Sequence, residues 1–317
     1  YLTNYYSLAR RKTGGKLDSS RKTQDFLVRL ASYTSVIVAV ALVIIKFYAW
    51  DVTDSVSVLS SLIDSFLDVL ASLVTVFAVH HALQPADREH RFGHGKAESI
   101  AGLGQSLFVT GSALYLVYES SLRIFSPQAI QSSDTGIIVM LASIFLSIAL
   151  VSFQRYVVKI SSSVAISADS LHYKGDILIN GSVIIAIVLN AHFQWVLADP
   201  VIAIAIAGYI FYLAYTLVRQ SLDFLMDREL PDEDRDRIKE IVLSHPKVEG
   251  IHDLRTRSSG RFSFIQFHLE IDGKKSLTES HIISDEVEAV VQKHFPNAEI
   301  LIHQDPEGIL EARKTFE

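Results

Sequence analysis

The chain has 317 residues, 49% of them hydrophobic and only 20% charged, with a mean hydropathy of +0.29. A formal net charge of −6 and the absence of cysteine exclude several classes: a nucleic-acid binder, a disulfide-stapled domain, a thiolate metal site and a cysteine nucleophile. The first residues are basic and most acids lie in the last third, as in a membrane protein with a soluble appendix.

Residues 1–24 form a basic segment. The apolar run that follows begins near Phe26 and is long enough to span, so it reads as a membrane helix rather than a cleavable leader. Six stretches qualify as spans, roughly Phe26–Tyr48, Ser55–His81, Glu98–Phe125, Gly136–Val158, Ala165–Leu189 and Trp195–Leu217. Phe47, Tyr48 and Trp50 close the first and Trp195 opens the sixth, at the level of an interfacial belt. Arg10, Arg11, Lys12, Lys16, Arg21 and Lys22 precede the first span. Arg88, Arg91 and Lys96 follow the second, and Arg155 and Lys159 lie between the fourth and fifth. The loops 49–54, 126–135 and 190–194 hold no Lys or Arg, so the positive-inside rule predicts cytoplasmic termini.

The expected domains are a six-helix membrane domain over 25–220, a linker over 221–230, a small cytoplasmic α/β module over 231–306 and a charged tail over 307–317. In the module, Asp232–Leu243 reads as a helix. Ile251–Arg257 and Arg261–Ile271 read as strands around the Ser258-Ser259-Gly260 turn. Thr278 reads as the N-cap of a helix to about His294, with Leu277 and Ile282 as a hydrophobic staple. Glu299–His303 completes an α-β-β-α-β, ferredoxin-like order with helices on one face.

Two polar pairs interrupt the apolar spans: Asp64 and Asp68 in the second, His172 and Asp176 in the fifth. Four-residue spacing puts each pair on one helical face. A charge at the bilayer centre costs about 2.5–3.5 kcal/mol on the insertion scale, so these groups need partners. Few cations are at hand: Lys46 sits near the end of the first span and can snorkel, and Lys174 lies about 200° around the helix from both His172 and Asp176. Three carboxylates and one imidazole make a tetrahedral metal-ligand set with no position left for an activated water, suited to holding an ion in transit rather than to hydrolysis. Metal and protons compete for such ligands, the minimum physics of an antiporter. Asp169, two turns before Asp176, reads as an acidic entrance residue or as a helix-end carboxylate in headgroup water. Two weaker clusters are Asp87, His90 and His94 in the loop after the second span, and His252, His268, His281, His303 and Asp305 in the soluble module. His245 and His294 read as ordinary surface residues.

The motifs DSFLD and HYKGD, the REHRFGHGKAE loop and the cytoplasmic module resemble the cation diffusion facilitators, and within them the bacterial zinc and ferrous-iron efflux branch, from about residue 25 to residue 306. The resemblance implies that Asp64, Asp68, His172 and Asp176 form the transport site, that Asp87, His90 and His94 form a loop site, and that His252, His268, His281, His303 and Asp305 form a binuclear cytoplasmic site. It also implies a homodimer in the bacterial inner membrane that exchanges cytosolic Zn2+ for protons, with Lys96 and Asp227 as a charge pair at the dimer junction. Lys174, Gly175 and Leu67 depart from the family pattern without touching the ligands. The expected function is proton-coupled export of divalent transition metals, Zn2+ foremost and Cd2+ and Fe2+ as further candidates. Zn2+ would be both substrate and structural or regulatory ion, with no organic cofactor and no nucleic-acid partner. The rivals are a passive divalent-cation channel and a membrane-anchored metal sensor. A primary pump is disfavoured by the lack of a P-loop or aspartyl-phosphate motif, and no catalytic constellation is seen.

Overall fold

Inside hydrocarbon only a helix or a closed barrel satisfies every backbone N–H and C=O, so long apolar runs fold as helices. The computed structural model describes residues 2–54, 56–125, 134–195, 197–260 and 262–308. They fall into two compact units, Tyr1–Leu222 and Asp223–Glu317. The first holds α1 (Leu2–Thr53), α2 (Val56–Ala82), α3 (Ala97–Phe125), α4 (Asp134–Ser161), α5 (Val164–Phe193) and most of α6 (Ala198–Leu225). Each contains a stretch long and apolar enough to cross a membrane, overlapping one of the six expected spans. α6 runs two turns past its expected end because Val218–Leu225 contains no Gly or Pro to stop it. Single left-handed residues end α1, α4 and α5: Asp54 (φ 48°), Ser162 (φ 54°) and Gln194 (φ 52°).

Large apolar side chains such as Ile37, Phe77, Leu107 and Phe145 stay exposed on the bundle surface. On helices of spanning length this is the surface that meets lipid. The interior mixes short apolar clusters with many small polar residues: Ser35, Ser72, Thr75, Ser143 and Ser147 are buried. Such residues let membrane helices approach closely and bond across their interfaces. Gly102 marks the tightest approach, since a Cβ there would lie 2.6 Å from Ser221 Oγ. α1 packs on α2 and α4, and α5 packs on α2, α3 and α4. This arrangement sets the polar pairs of α2 and α5 against each other.

The second unit contains α7 (Asp232–Leu243), β1 (Gly250–Ser259), β2 (Phe262–Ile271), α8 (Leu277–His294) and β3 (Ala298–Pro306), in the expected α-β-β-α-β order. The sheet runs β1-β2-β3, with β1 antiparallel and β3 parallel to β2. Ile265, Phe267, Leu269 and Ile271 alternate along β2 onto the face that packs Ile238 and Val242 of α7 and Ile283, Val287 and Val291 of α8. The even-numbered residues of β2 therefore occupy the opposite face. Glu229 and Leu230, expected within a linker, are bonded to β1: Thr256 N–H donates to Glu229 Oε2 at 2.8 Å and Leu230 N–H to Thr256 Oγ1 at 2.9 Å. Arg261 and the tail beyond residue 308 lie outside the described residues.

Two expectations in this unit need correction. The N-cap of α8 is Ser276, not Thr278, because Ser276 has Glu three residues later and so closes a capping box. Ser276 N–H donates to Glu279 Oε2 at 2.8 Å, and Glu279 N–H donates to Ser276 Oγ at 3.3 Å. Leu277, 82% exposed, forms no staple. β3 is also longer than expected, since its pairing with β2 continues to Ile271 and Pro306 and brings Asp305 beside Glu270.

Replacing Ser276 by Ala is expected to destabilise the second unit by about 1 kcal/mol, read as a lower unfolding midpoint. The N–H of Ser276 holds the Glu279 carboxyl below its ordinary value of 4.5. That contribution is complete above pH 4.5 and is lost as pH falls through the depressed value. Amide exchange in the first turn of α8 should show this acid-side loss in the parent and not in Glu279→Gln.

Candidate metal centres

At the α2–α5 contact, His172 Nε2 lies 2.9 Å from Asp68 Oδ1 and 3.9 Å from Asp176 Oδ2. Ligand atoms of Asp68, His172 and Asp176 all fall within 4.8 Å of one another. Four-residue spacing puts His172 above Asp176 on α5, and packing of α2 against α5 supplies Asp68. Asp64, one turn from Asp68 on α2, stays outside this triplet and is exposed. Tyr173 is wholly buried beside the triplet, its hydroxyl 3.0 Å from Ser72 Oγ and donating to the Ser35 carbonyl at 3.3 Å.

Two neighbours are not where the sequence suggested. Asp169 is neither an open entrance nor a carboxylate in headgroup water: it is 0% exposed. Gln154 Nε2 donates to its Oδ2 at 2.6 Å and Thr75 Oγ1 to its Oδ1 at 3.4 Å. Gln105 Nε2 in turn donates to Thr75 Oγ1 at 3.1 Å. The uncharged donors on α2 and α4 draw the carboxyl inward, and Gln105 on α3 backs Thr75. Lys46 does not snorkel. It is 6% exposed, and its Nζ donates to Ser65 Oγ at 2.7 Å and to the Ser61 carbonyl at 3.1 Å on α2.

The loop cluster is organised by Asp87, whose Oδ1 accepts the N–H groups of His90 at 2.6 Å and Glu89 at 2.9 Å. The bond from His90 is the main cause holding the Asp87 carboxyl below its ordinary range. Gly93, at φ 79°, takes a left-handed turn open to glycine, and the chain then carries His94 inward. Asp87 stands 3.4 Å from His90 Nδ1 and 3.3 Å from His94 Nε2, so the three expected residues do converge. His81, at the end of α2, was missed; its ring lies 4.8 Å from that of His94.

In the second unit, β1 and β2 pair His252 with His268, and β2 and β3 pair His268 with His303. Asp305 links all three: its Oδ2 is 2.6 Å from His268 Nδ1 and 3.3 Å from His252 Nε2, and its Oδ1 is 3.1 Å from His303 Nε2. A carboxylate using both oxygens toward different imidazoles is suited to bridging two ions. Glu270, 2.9 Å from His252 Nδ1, and Asp253, 3.7 Å from His268 Nε2, extend the cluster. Period two from His268 marks Glu270. Asp253 sits at the register shift of β1 with φ 46°, which no alternation reveals. The cluster opens into a pocket of ≈ 230 Å³ bordered by Arg255, Gln266 and Leu301. His281 does not join it: it stands exposed on α8, 3.8 Å from Asp285, on the helical side of the sheet. Asp227 pairs with Arg257 at 3.3 Å within the same unit.

Residues 32–226 match the cation efflux transmembrane domain, and residues 230–307 match the cytoplasmic domain of cation efflux proteins. The chain belongs to the cation efflux family. It is 43% identical over 286 residues to the cation-efflux pump FieF of Klebsiella pneumoniae (strain 342), covering 90% of this chain and 95% of that protein. To FieF of Yersinia enterocolitica it is 46% identical over 284 residues, covering 90% and 94%. A solved structure of CzrB in its Zn form is 36% identical, covers 28% of this chain and 98% of that one, and has a TM-score of 0.25. Cation efflux family membership, with six helices of spanning length, makes this a multi-pass membrane transporter of cations.

The two-oxygen linkage through Asp305 sets an order of effects. Asp305→Ala should lower Zn2+ uptake by the cytoplasmic unit more than His303→Ala does, and His281→Ala should leave it near the parent value, all read by calorimetric titration.

Proposed function

We propose that this protein exports divalent transition metals, Zn2+ foremost, by exchanging them for protons at the α2–α5 site. The observation that carries the reading is one imidazole nitrogen facing carboxylates from two helices, at 2.9 and 3.9 Å. Asp64 completes the set as the fourth ligand, since it lies one turn along the same helix. Oxygen and nitrogen donors without a thiolate suit borderline divalent ions and disfavour Cu(I). Every ligand also binds protons, so proton binding and metal binding exclude each other at one place. The bundle presents this site to the cytosol for loading and to the outside for release, where protons displace the ion.

The protein works in the bacterial inner membrane with both termini cytoplasmic, a placement supported by the loop distribution of Lys and Arg and by its bacterial relatives. It acts as a homodimer; the match to the ZT_dimer domain supports this. The His252, His268, His303 and Asp305 cluster binds cytosolic metal and thereby stabilises the dimer by linkage. His281 contributes only after a rearrangement or from a second copy. The Asp87, His90 and His94 loop forms a separate metal site, with Asp87 and His90 exposed and His94 buried.

Proteoliposome flux tests the central reading. Zn2+ transport should follow an imposed pH gradient, and Asp64→Ala, Asp68→Ala and His172→Ala should each abolish it while leaving the dimer folded. Flux that ignores the gradient would point to a channel. Flux retained in all three variants would refute the site.

A further inference from the structure

Among the described residues, Lys46 is the one Lys or Arg that is buried. It sits on α1 about two turns before the helix ends at Thr53. Burying an ammonium beside lipid is costly, and a short rotation of α1 would let it reach the interface. It is instead bound to Ser61 and Ser65, the two serines that precede and follow Asp64 on α2. Ser61, Ser65 and Asp68 recur at i, i+4 and i+7, so the ammonium lies along the face that carries the ligand pair. Asp64 and Asp68 stand on that same face of α2, within about a turn of Ser65.

The charges suggest why it is there. Three ionised carboxylates and a divalent ion leave one net negative charge inside the bundle. One fixed cation brings the loaded site to zero. We propose that Lys46 is a resident counter-cation of the transport site, tethered by Ser61 and Ser65 so that it neutralises the loaded site without occupying the ion's place. It is a positioning residue rather than a ligand. The tether matters as much as the charge: held by serine oxygens, the ammonium weakens metal binding enough for release, whereas a free ammonium would reach the carboxylates and compete directly. This rests on the reading of Asp64, Asp68, His172 and Asp176 as the transport site.

Zn2+ transport kinetics in proteoliposomes, with the full-length protein, test the idea. Lys46→Gln should lower both KM and kcat, each by about tenfold, because removing a nearby positive charge tightens the hold on the ion and slows its departure. Lys46→Arg should restore both toward the parent. Ser65→Ala keeps the charge but loosens its tether to the Ser61 carbonyl alone, and should raise KM severalfold; it decides the matter by itself if Lys46→Gln does not fold. A merely structural lysine would lose activity without lowering KM. Unchanged KM in Lys46→Gln and Ser65→Ala, or a raised KM in Lys46→Gln, overturns the proposal. Asp68→Ala, measured alongside, separates the two claims. If it still transports, the transport site itself is misassigned. If it is inactive and the Lys46 variants match the parent, only the role of Lys46 fails.

Discussion

A charge inside a lipid-facing bundle has to be met by another charge or by directed dipoles, and this constraint orders the whole first unit. The interior of α1 to α6 sets many small hydroxyl and amide residues among short apolar clusters. Large apolar groups face outward, where lipid is as good a solvent for them as a protein interior. The serines, glutamines and carboxylates that hold the helices together also surround the proposed ion site. His172 is the clearest instance, since its contact with Asp68 is at once an α2–α5 packing bond and part of the proposed metal site.

The three clusters differ in how strongly their surroundings commit them. The intramembrane triplet is largely enclosed, so an ion there exchanges water for carboxylate and imidazole together. The loop around Asp87 is exposed and depends on backbone N–H groups to shape it. In the second unit a three-stranded sheet fixes His252, His268 and His303 across neighbouring strands, with Asp305 holding their rings. Strand register is stiffer than a loop, and the cytoplasmic donors are correspondingly preorganised.

Periodicity made much of this readable from the chain alone. Four-residue spacing identified both polar pairs, and apolar length identified six helices. The switch to shorter alternating patterns after Pro231 identified the α/β unit. What the sequence did not disclose was direction. Whether Lys46 reaches for water or for α2 depends on which neighbour α1 packs against, and no local pattern contains that. Asp169 was misread for the same reason, since its donors come from residues 75 and 154 on other helices. Ser276 and Thr278 are both good caps, and only Glu279 distinguishes them. His281 shares residue type with the sheet histidines but sits across the sheet from them, a separation that composition cannot register.

Glu98 shows how the parts of the bundle are coupled. It stands in the first turn of α3, four residues after His94, and is buried. Its Oε2 accepts the Ser163 hydroxyl at 2.7 Å and the Ala165 N–H at 3.3 Å, at the very start of α5. One carboxylate thus terminates the loop that carries His94 and caps the helix that carries His172 and Asp176, where the positive end of the helix dipole favours it. In mechanical terms it is a rivet. α3 and the base of α5 must move together in any opening of the bundle, or shear two hydrogen bonds to a buried carboxyl. Any shear within the bundle would then fall elsewhere, and the seam between α2 and α5, where Asp68 faces His172, is free to be one of its edges.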